Sequence, residues 1–258
     1  MSRAPEIHVL PDETAVATEI ADFLAWSCAD TLTRRPLFHL VLSGGSTPKA
    51  LFHVLASPAW RTKLDWSRVR VYFADERAVP LDHADSNYGA ARAALFAPLN
   101  LPDAHISRIQ GERPAADAAH DYEQMIRKNL QDGSSNDLAF DVILLGIGND
   151  GHTASLFPGG AELDERTRLV VESASPSGIR SRITMTYPLL NRGRVVLFHV
   201  VGVSKAAMVQ RVIDLAGGAP PVPAARIAPT NGRLLWYLDE PAAAQLAATR
   251  RQRPSDEA

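Results

Sequence analysis

The chain has 258 residues, of which 46% are hydrophobic and 22% charged, so it can bury a substantial core. Its formal net charge of −2 excludes the basic excess that attracts nucleic acid or anionic membranes, although local basic residues can still bind an anion. Cys28 is the only cysteine, so no intrachain disulfide can form, and we expect a core thiol in a reducing cytoplasm rather than a nucleophile.

Strand and helix patterns alternate along the chain. Strands are predicted at residues 7–10, 38–42, 69–73, 141–145, 169–172, 194–201 and 234–238. Helices are predicted at residues 13–33, 48–55, 87–95, 114–130, 204–215 and 241–250. The near-continuous apolar runs at 38–42 and 141–145 are typical of strands covered on both faces. We therefore predict an α/β fold with a mostly parallel open sheet and helices on both faces.

No repeat, low-complexity segment or composition break divides the chain. We predict a single α/β domain over residues 1–250 and a disordered C-terminal tail at 251–258. The first residues lack a signal-peptide core, and the longest apolar run, 195–203, is too short to span a bilayer. We expect a soluble cytoplasmic protein, with neither nucleic acid nor membrane as partner, that is a monomer or a small homo-oligomer.

A glycine- and hydroxyl-rich segment follows the second predicted strand. Gly44, Gly45, Ser46 and Thr47 precede Pro48, which pre-sets the first turn of a helix. Backbone N–H groups in such a turn form a nest suited to an anion. The alternative is an ordinary strand-to-helix turn. The segment does not match the G-x-x-x-x-G-K-[ST] pattern of a P-loop.

Two further charged segments follow predicted strands. Asp75, Glu76 and Arg77 come directly after a buried strand, where three charges are costly unless solvated or paired. Arg77 suits bidentate binding of a phosphate, and the alternative is a surface turn with an internal ion pair. Lys205 lies in the first turn of a predicted helix, where it opposes the helix dipole unless an anion offsets it. The alternative is a solvated lysine.

The segment L-L-G-I-G-N-D-G-H-T-A-S-L-F-P brings an acid and an imidazole to the end of the most hydrophobic strand. His152 can take a proton near neutral pH, and Asp150 lies two residues before it. The alternative for His152 is a helix N-terminal residue bonded to nearby backbone. A metal site is disfavoured because no second histidine follows at helical spacing. Ser155 is expected on a helix surface, since no G-x-S-x-G nucleophile elbow occurs.

The same segment contains G-x-G-x-x-G, the pattern of a dinucleotide-binding turn. Gly146, Gly148 and Gly151 form it, and Glu172 lies about 20 residues beyond, as the fingerprint requires. We discount this interpretation because Pro158 would stop the long helix that the fingerprint needs. Asp150 would also repel a pyrophosphate.

Taken in order, the motifs resemble the 6-phosphogluconolactonase family, within the glucosamine/galactosamine-6-phosphate isomerase superfamily. They are L-S-G-G-S-T-P (42–48), F-A-D-E-R (73–77) with S-N-Y (86–88), L-G-I-G-N-D-G-H-T-A-S-L-F-P (145–158), R-I-T-M-T (182–186) and G-V-S-K (202–205). The resemblance implies hydrolysis of 6-phospho-D-glucono-1,5-lactone to 6-phosphogluconate, in the oxidative pentose phosphate pathway, without metal or organic cofactor. It also implies a fold similar to that of glucosamine-6-phosphate deaminase.

The deaminases are the main alternative, because they share the glycine-rich loop, the D-E pair and the D-G-H turn. Their pattern continues G-H-I-A-F-N-E, with a glutamate where this chain has Phe157, and has D-E-Y where this chain has Arg77 as third residue. A non-catalytic sugar-phosphate sensor is the other alternative. Such sensors usually carry a DNA-binding module or lack the histidine, whereas this chain keeps His152 and its first strand begins near Ile7.

The resemblance implies roles for ten residues. His152 is expected to act as general base on the water that attacks C1, and Asp150 or Asp75 to orient the imidazole or hold sugar hydroxyls. Arg182 is expected to steady the oxyanion or the product carboxylate, with backbone N–H groups after Gly151 as an equal alternative. The phosphate is expected among Gly44, Gly45, Ser46, Thr47, Arg77 and Lys205.

Overall fold

A computed structural model of the chain describes residues 4–130, 138–214 and 221–247. Its strands are β1 Glu6–Leu10, β2 Phe38–Leu42, β3 Val69–Phe73, β4 Asp75–Arg77, β5 Val142–Leu145, β6 Val170–Ala174, β7 Ser181–Met185, β8 Val195–Val200 and β9 Arg233–Asp239. Its α-helices are α1 Glu13–Leu32, α2 Pro48–Ala56, α3 Asn87–Ala91, α4 Ala97–Leu99, α5 Ala115–Leu130, α6 Tyr187–Leu190 and α7 Ala206–Ile213. In these ranges no helix is both long and apolar enough to cross a membrane.

Six strands form one parallel sheet in the order β1-β9-β8-β5-β2-β3. The two central strands β5 and β8 are buried at every position, as expected for strands that pack against other elements on both faces. Helix α1 contacts β1, β2 and β9 and buries Val16, Ile20 and Leu24, which recur at helical spacing. The predicted parallel α/β sheet is confirmed.

The strand order places a crevice at one edge of the sheet. The chain runs from β2 outward to β3 and then returns to the opposite side of β2 as β5. At such a switch point the loops that follow the two strands diverge, and ligands of open α/β sheets bind between them. The loops after β2 and β5 are the two glycine-rich segments of the sequence.

A second, three-stranded antiparallel sheet of order β4-β7-β6 was not predicted. Ala74 connects the two sheets, because its N–H donates to Leu42 O of the main sheet and its carbonyl accepts from the N–H of Met185. The interpretation of residues 75–77 as a surface turn is therefore wrong: they form a strand whose first two side chains are buried. Strand β7 was missed although the turn residues Ser175, Pro176, Ser177 and Gly178 precede it.

Two predicted helices differ from the structure, and the alternative of a helix that begins near His152 is not found. Residues 87–95 begin as α3 but continue into a π-helical turn, Arg92–Phe96. No helix follows Gly151, because the segment 151–157 forms turns. Residues 241–246 also form turns, so the helix predicted at 241–250 is wrong over that part; its last residues and the tail at 251–258 lie outside the described ranges. Cys28 is buried in α1, and burial raises the pKa of its thiol to about 11, so it is a core residue.

Candidate active site

A cavity of about 610 Å³ opens at the carboxyl edge of the main sheet, where the switch point lies. All four segments singled out in the sequence contribute to it, together with the hairpin between β6 and β7. The predicted site residues that line it are Gly44, Gly45, Ser46, Thr47, Asp75, Arg77, Asp150, His152, Arg182 and Lys205. The structure thus brings all ten together.

The loop between β2 and the start of α2 has a fixed conformation. Ser43 Oγ donates to Leu144 O at 2.7 Å, which ties the loop to β5. Gly45 has φ +100°, a left-handed conformation that favours glycine. A Cβ at Gly44 would lie 1.7 Å from Asn87 Oδ1, so only glycine fits there. The small side chains leave the backbone of this loop accessible to a ligand.

Asp150 and His152 form a hydrogen-bonded pair on the loop after β5. Asp150 Oδ1 lies 2.6 Å from His152 Nδ1 and also accepts from the His152 backbone N–H at 3.1 Å. Burial alone would raise the pKa of Asp150, but the bonds from His152 outweigh it and lower that pKa. With Nδ1–H donating to the carboxylate, the neutral imidazole presents Nε2 as a proton acceptor.

Two glycines allow this pair to form. Gly148 N–H donates to His152 O at 2.9 Å, and a Cβ on Gly148 would lie 2.1 Å from His152 Nδ1. Gly151, between the acid and the imidazole, has φ +84°. The His152 ring also packs on Phe157 with a centroid distance of 4.8 Å. The imidazole side chain keeps 34% of its surface exposed, so solvent and ligand reach it.

Glu76 is buried, and its carboxylate is bonded to residues at the start of α3. Its carboxylate accepts from the N–H groups of Arg77, Asn87 and Tyr88 and from the Ser86 hydroxyl, at 2.7 to 3.2 Å. Burial raises the pKa of Glu76 despite these bonds. Negative charge at the first turn of a helix is favourable, so Glu76 fixes the start of α3 and with it Asn87.

Asp75 faces the cavity but does not contact His152. Its Oδ2 accepts from Ser155 Oγ at 2.6 Å, and Asn87 Nδ2 lies 2.9 Å from its carbonyl oxygen and 3.5 Å from its Oδ1. Of the two acids that the sequence left as alternatives, Asp150 is therefore the one bonded to the imidazole. Ser155 is buried, contrary to the expectation of a helix-surface residue.

Three basic side chains give the cavity positive charge. Arg77 and Arg182 are directly opposite each other on β4 and β7, and Arg77 Nη1 donates to Asp85 O. Arg182 is buried, and desolvation together with the charge of Arg77 lowers its pKa. Its Nε has no hydrogen-bond partner among the described residues. Two adjacent guanidiniums are unfavourable alone, and an anion between them would relieve the repulsion.

Lys205 lines the cavity from the segment that follows β8. It ends the 3₁₀ turn that precedes α7, and its Nζ donates to Asn149 Oδ1 at 2.7 Å. Desolvation lowers its pKa, whereas the charge of Asp150 acts in the other direction. The half-buried ammonium lies beside the loop that carries the Asp150–His152 pair, rather than in bulk solvent.

Residues that sequence reasoning missed include Asn87, Ser155 and His199, all of which line the cavity. Asn87 stood in the quoted S-N-Y motif without a role, and Ser155 in T-A-S-L-F-P. His199 interrupts the apolar strand β8, which is the only sign of it in the sequence. It is 4% exposed, its Nε2 lacks a partner among the described residues, and burial lowers its pKa to about 4.

His199 makes the stability of the protein depend on pH. The unfolded chain binds a proton there near pH 6.5, whereas the folded chain does so only near pH 4. The contribution of His199 to the free energy of unfolding is therefore fully present above about pH 6.5. It is lost progressively as the pH falls toward 4, by roughly 3 kcal/mol. We expect His199→Phe to flatten urea-unfolding free energies over that range, and His120→Ala, at an exposed histidine, to keep the wild-type slope. Equal slopes for wild type and His199→Phe would contradict this.

The dinucleotide interpretation finds no support in the structure. No helix begins at Gly151, and Glu172 is exposed on β6 of the small sheet. In the described residues, no group of three or more His, Cys, Asp or Glu side chains is arranged to hold a metal ion. The position of the deaminase glutamate is occupied by the Phe157 ring against His152.

Comparison with known proteins shows the family to which the chain belongs. Residues 11–236 match the family model for glucosamine-6-phosphate isomerases/6-phosphogluconolactonase. A rat 6-phosphogluconolactonase is 38% identical over 244 residues, which are 93% of each chain. A solved 6-phosphogluconolactonase from Trypanosoma cruzi superposes with a TM-score of 0.83 at 29% identity, over 96% of this chain and 99% of that one.

A solved monomeric glucosamine-6-phosphate deaminase has a TM-score of 0.76 at 20% identity, over 93% of this chain and 99% of that one, which is a likeness of fold alone. The family model covers most of the chain, and the rat relative matches nearly its full length. The chain therefore belongs to the glucosamine-6-phosphate isomerase/6-phosphogluconolactonase family.

Proposed function

We propose that the protein hydrolyses 6-phospho-D-glucono-1,5-lactone to 6-phosphogluconate, with His152 as general base. The observation that carries the mechanism is the Asp150–His152 pair in a cavity that also holds a glycine-rich loop and three basic side chains. The relatives named 6-phosphogluconolactonase at 34 to 38% identity support the lactonase activity. A δ-lactone is an activated ester, so its hydrolysis needs a base and charge stabilisation rather than a covalent intermediate.

In the proposed mechanism, His152 Nε2 removes a proton from the water that attacks C1. Asp150 holds the imidazole in the tautomer that leaves Nε2 free, and stabilises the imidazolium that forms. The proton then passes from Nε2 to the ring oxygen as the C1–O bond breaks. General base catalysis of this kind contributes about 10²–10⁴-fold.

The phosphate would bind at the loop after β2. The backbone N–H groups of Gly44, Gly45, Ser46 and Thr47 stand at the start of α2, where the helix dipole favours an anion. The basic side chains Arg77 and Lys205 would supply the compensating charge. A phosphate bound at Arg77 would also offset the repulsion between Arg77 and Arg182, which lie opposite each other on β4 and β7.

Arg182 is the better of the two oxyanion donors that the sequence left open. The first N–H after Gly151, that of His152, is already engaged by Asp150 Oδ1. Arg182 Nε is buried at the cavity wall without a partner among the described residues. A preorganised donor of this kind can stabilise the charge that develops on the carbonyl oxygen.

Ring opening and amine loss are disfavoured at this site. Those steps need a carboxylate that moves protons, and Phe157 offers none where the deaminase motif has glutamate. We propose that the protein works in the cytoplasm as a monomer or small homo-oligomer, with the sugar-phosphate lactone as its partner. The buried Cys28 thiol is compatible with that compartment.

Arg77→Ala is expected to raise KM about tenfold and to leave kcat nearly unchanged, because a phosphate contact stabilises substrate and transition state alike. Steady-state kinetics on the lactone would measure both parameters. Arg180→Ala is the matched control, since Arg180 is exposed and outside the cavity. An unchanged KM in Arg77→Ala would remove Arg77 from the phosphate site.

The experiment that tests the proposed activity supplies two sugar phosphates in parallel. With the purified protein, we expect 6-phosphogluconate to form from the lactone and no ammonia to be released from glucosamine 6-phosphate. Ammonia release without lactone hydrolysis would identify a deaminase instead. Binding of 6-phosphogluconate without turnover of either compound would indicate a sensor.

A further inference from the structure

We infer that Ser155 is a positioning residue that fixes the Asp75 carboxylate for binding the ring hydroxyls of the substrate. This inference rests on the proposed lactonase function. Ser155 Oγ donates to Asp75 Oδ2 at 2.6 Å, a short bond between residues 80 positions apart in the chain. It joins the loop after β5 to the first residue of β4, and so crosses from the main-sheet segment to the small sheet.

Both the backbone N–H and the hydroxyl of Ser155 form hydrogen bonds. Its backbone N–H lies 3.2 Å from Thr184 Oγ1 on β7, while its hydroxyl meets Asp75 on the neighbouring β4. The residue is 1% exposed, so its hydroxyl cannot bond to solvent in place of Asp75. A buried hydroxyl that points its proton at a carboxylate fixes the orientation of that carboxylate.

The residue before Ser155 has a strained backbone conformation. Ala154 has φ 48°, in the left-handed region that residues with a Cβ seldom adopt. The turn is clamped by Thr153, whose Oγ1 donates to Gly146 O at 2.9 Å and whose carbonyl accepts from Leu156 N–H at 3.0 Å. Strain of this kind persists only where surrounding contacts impose it, and it is concentrated at functional sites.

Asp75 needs this support because its other contacts are weak or backbone-directed. Asn87 Nδ2 reaches the Asp75 carbonyl oxygen at 2.9 Å but its Oδ1 only at 3.5 Å. The imidazole of His152 is taken by Asp150, which leaves Asp75 free for another role. Its carboxylate lines the cavity, and an ionised carboxylate only accepts hydrogen bonds. The donors of the substrate are its ring hydroxyls.

Ser155 is not suited to be a nucleophile. It is buried and donates to Asp75 instead of to an imidazole, so nothing in its surroundings matches the base-activated serine of a hydrolase triad. Its effect on catalysis would therefore pass through Asp75.

A double-mutant cycle tests this. We expect Ser155→Ala to lower kcat/KM about tenfold or more, as for loss of a hydrogen bond to a charged group, and Asp75→Ala to lower it further. The variant with both changes should match Asp75→Ala alone, because Ser155 acts only by way of that carboxylate. Ser27→Ala, at a buried serine of α1 away from the cavity, should keep wild-type kinetics.

Additive losses in the cycle would overturn the inference, as would wild-type kinetics in Ser155→Ala. If a thermal unfolding measurement shows that Ser155→Ala is not folded, Ser155→Cys takes its place in the same cycle. A thiol has a similar shape but is only a weak hydrogen-bond donor. An inactive wild-type protein would overturn the proposed function and the inference together. An active wild type with an additive cycle would overturn the inference alone.

Discussion

His152→Ala is expected to lower kcat by about 10²–10⁴-fold while the fold remains intact. The imidazole carries the proposed proton transfer, and no other described histidine is bonded to a cavity-lining acid in the same way. His199, which also lines the cavity, is buried and has its pKa lowered to about 4, so it is a poor replacement near neutral pH. Saturation kinetics with the lactone measure the effect.

The control for this variant is His120→Ala, because His120 is exposed on α5 and outside the cavity. Both variants should unfold at temperatures close to that of the wild type, since the His152 side chain is partly exposed. If His152→Ala retained kcat, the base would have to be elsewhere, and Asp75 would be the next candidate.

Gly148→Ala is expected to lower kcat about a hundredfold by displacing the imidazole, since an error of about 1 Å in the position of a catalytic group can cost that much. The added Cβ would lie 2.1 Å from His152 Nδ1 and 2.6 Å from Asp150 Oδ1, so the two side chains cannot keep their hydrogen bond. The measurement is kcat on the lactone, together with thermal unfolding to verify the fold.

The same loop offers a matched control for Gly148→Ala. At Gly146 a Cβ would meet no atom within 4 Å, so Gly146→Ala changes the same residue type two positions away without touching the pair. It should leave the Asp150–His152 geometry intact, and because its methyl group on the cavity wall meets no protein atom, the variant should retain more activity than Gly148→Ala. Equal activity of the two variants would contradict the proposed role of the hydrogen-bonded pair.

The main sheet could be predicted because its strands are short apolar runs separated by helical segments. The predicted bounds of β2 and β3 agree with the structure, since Ser43-Gly44 follows the first apolar run and Ala74-Asp75 follows the second. The small sheet could not be predicted in the same way. Its strand β4 is three charged residues long, and only pairing with β7 makes them a strand. The low β-propensity of these residues is outweighed there by their tertiary contacts.

The position of the candidate site at the cavity also followed from the sequence, because strand ends of a parallel sheet lie at one edge and the motifs follow strands. The hydrogen bonds between side chains could not be predicted from the sequence. The bond between Ser155 and Asp75 depends on a left-handed turn at Ala154, for which a non-glycine residue gives no local signal. The choice between Asp75 and Asp150 as partner of His152 likewise needed the loop geometry that Gly148 and Gly151 permit.

The most direct test of the account is the lifetime of the lactone with and without the protein. Glucose-6-phosphate dehydrogenase generates the lactone in place, and 6-phosphogluconate dehydrogenase reports its hydrolysis as a second formation of NADPH. Because the lactone also hydrolyses spontaneously, the wild type is compared with an enzyme-free blank. We predict that the wild type shortens the delay before the second NADPH phase. A delay equal to that of the blank would contradict the account.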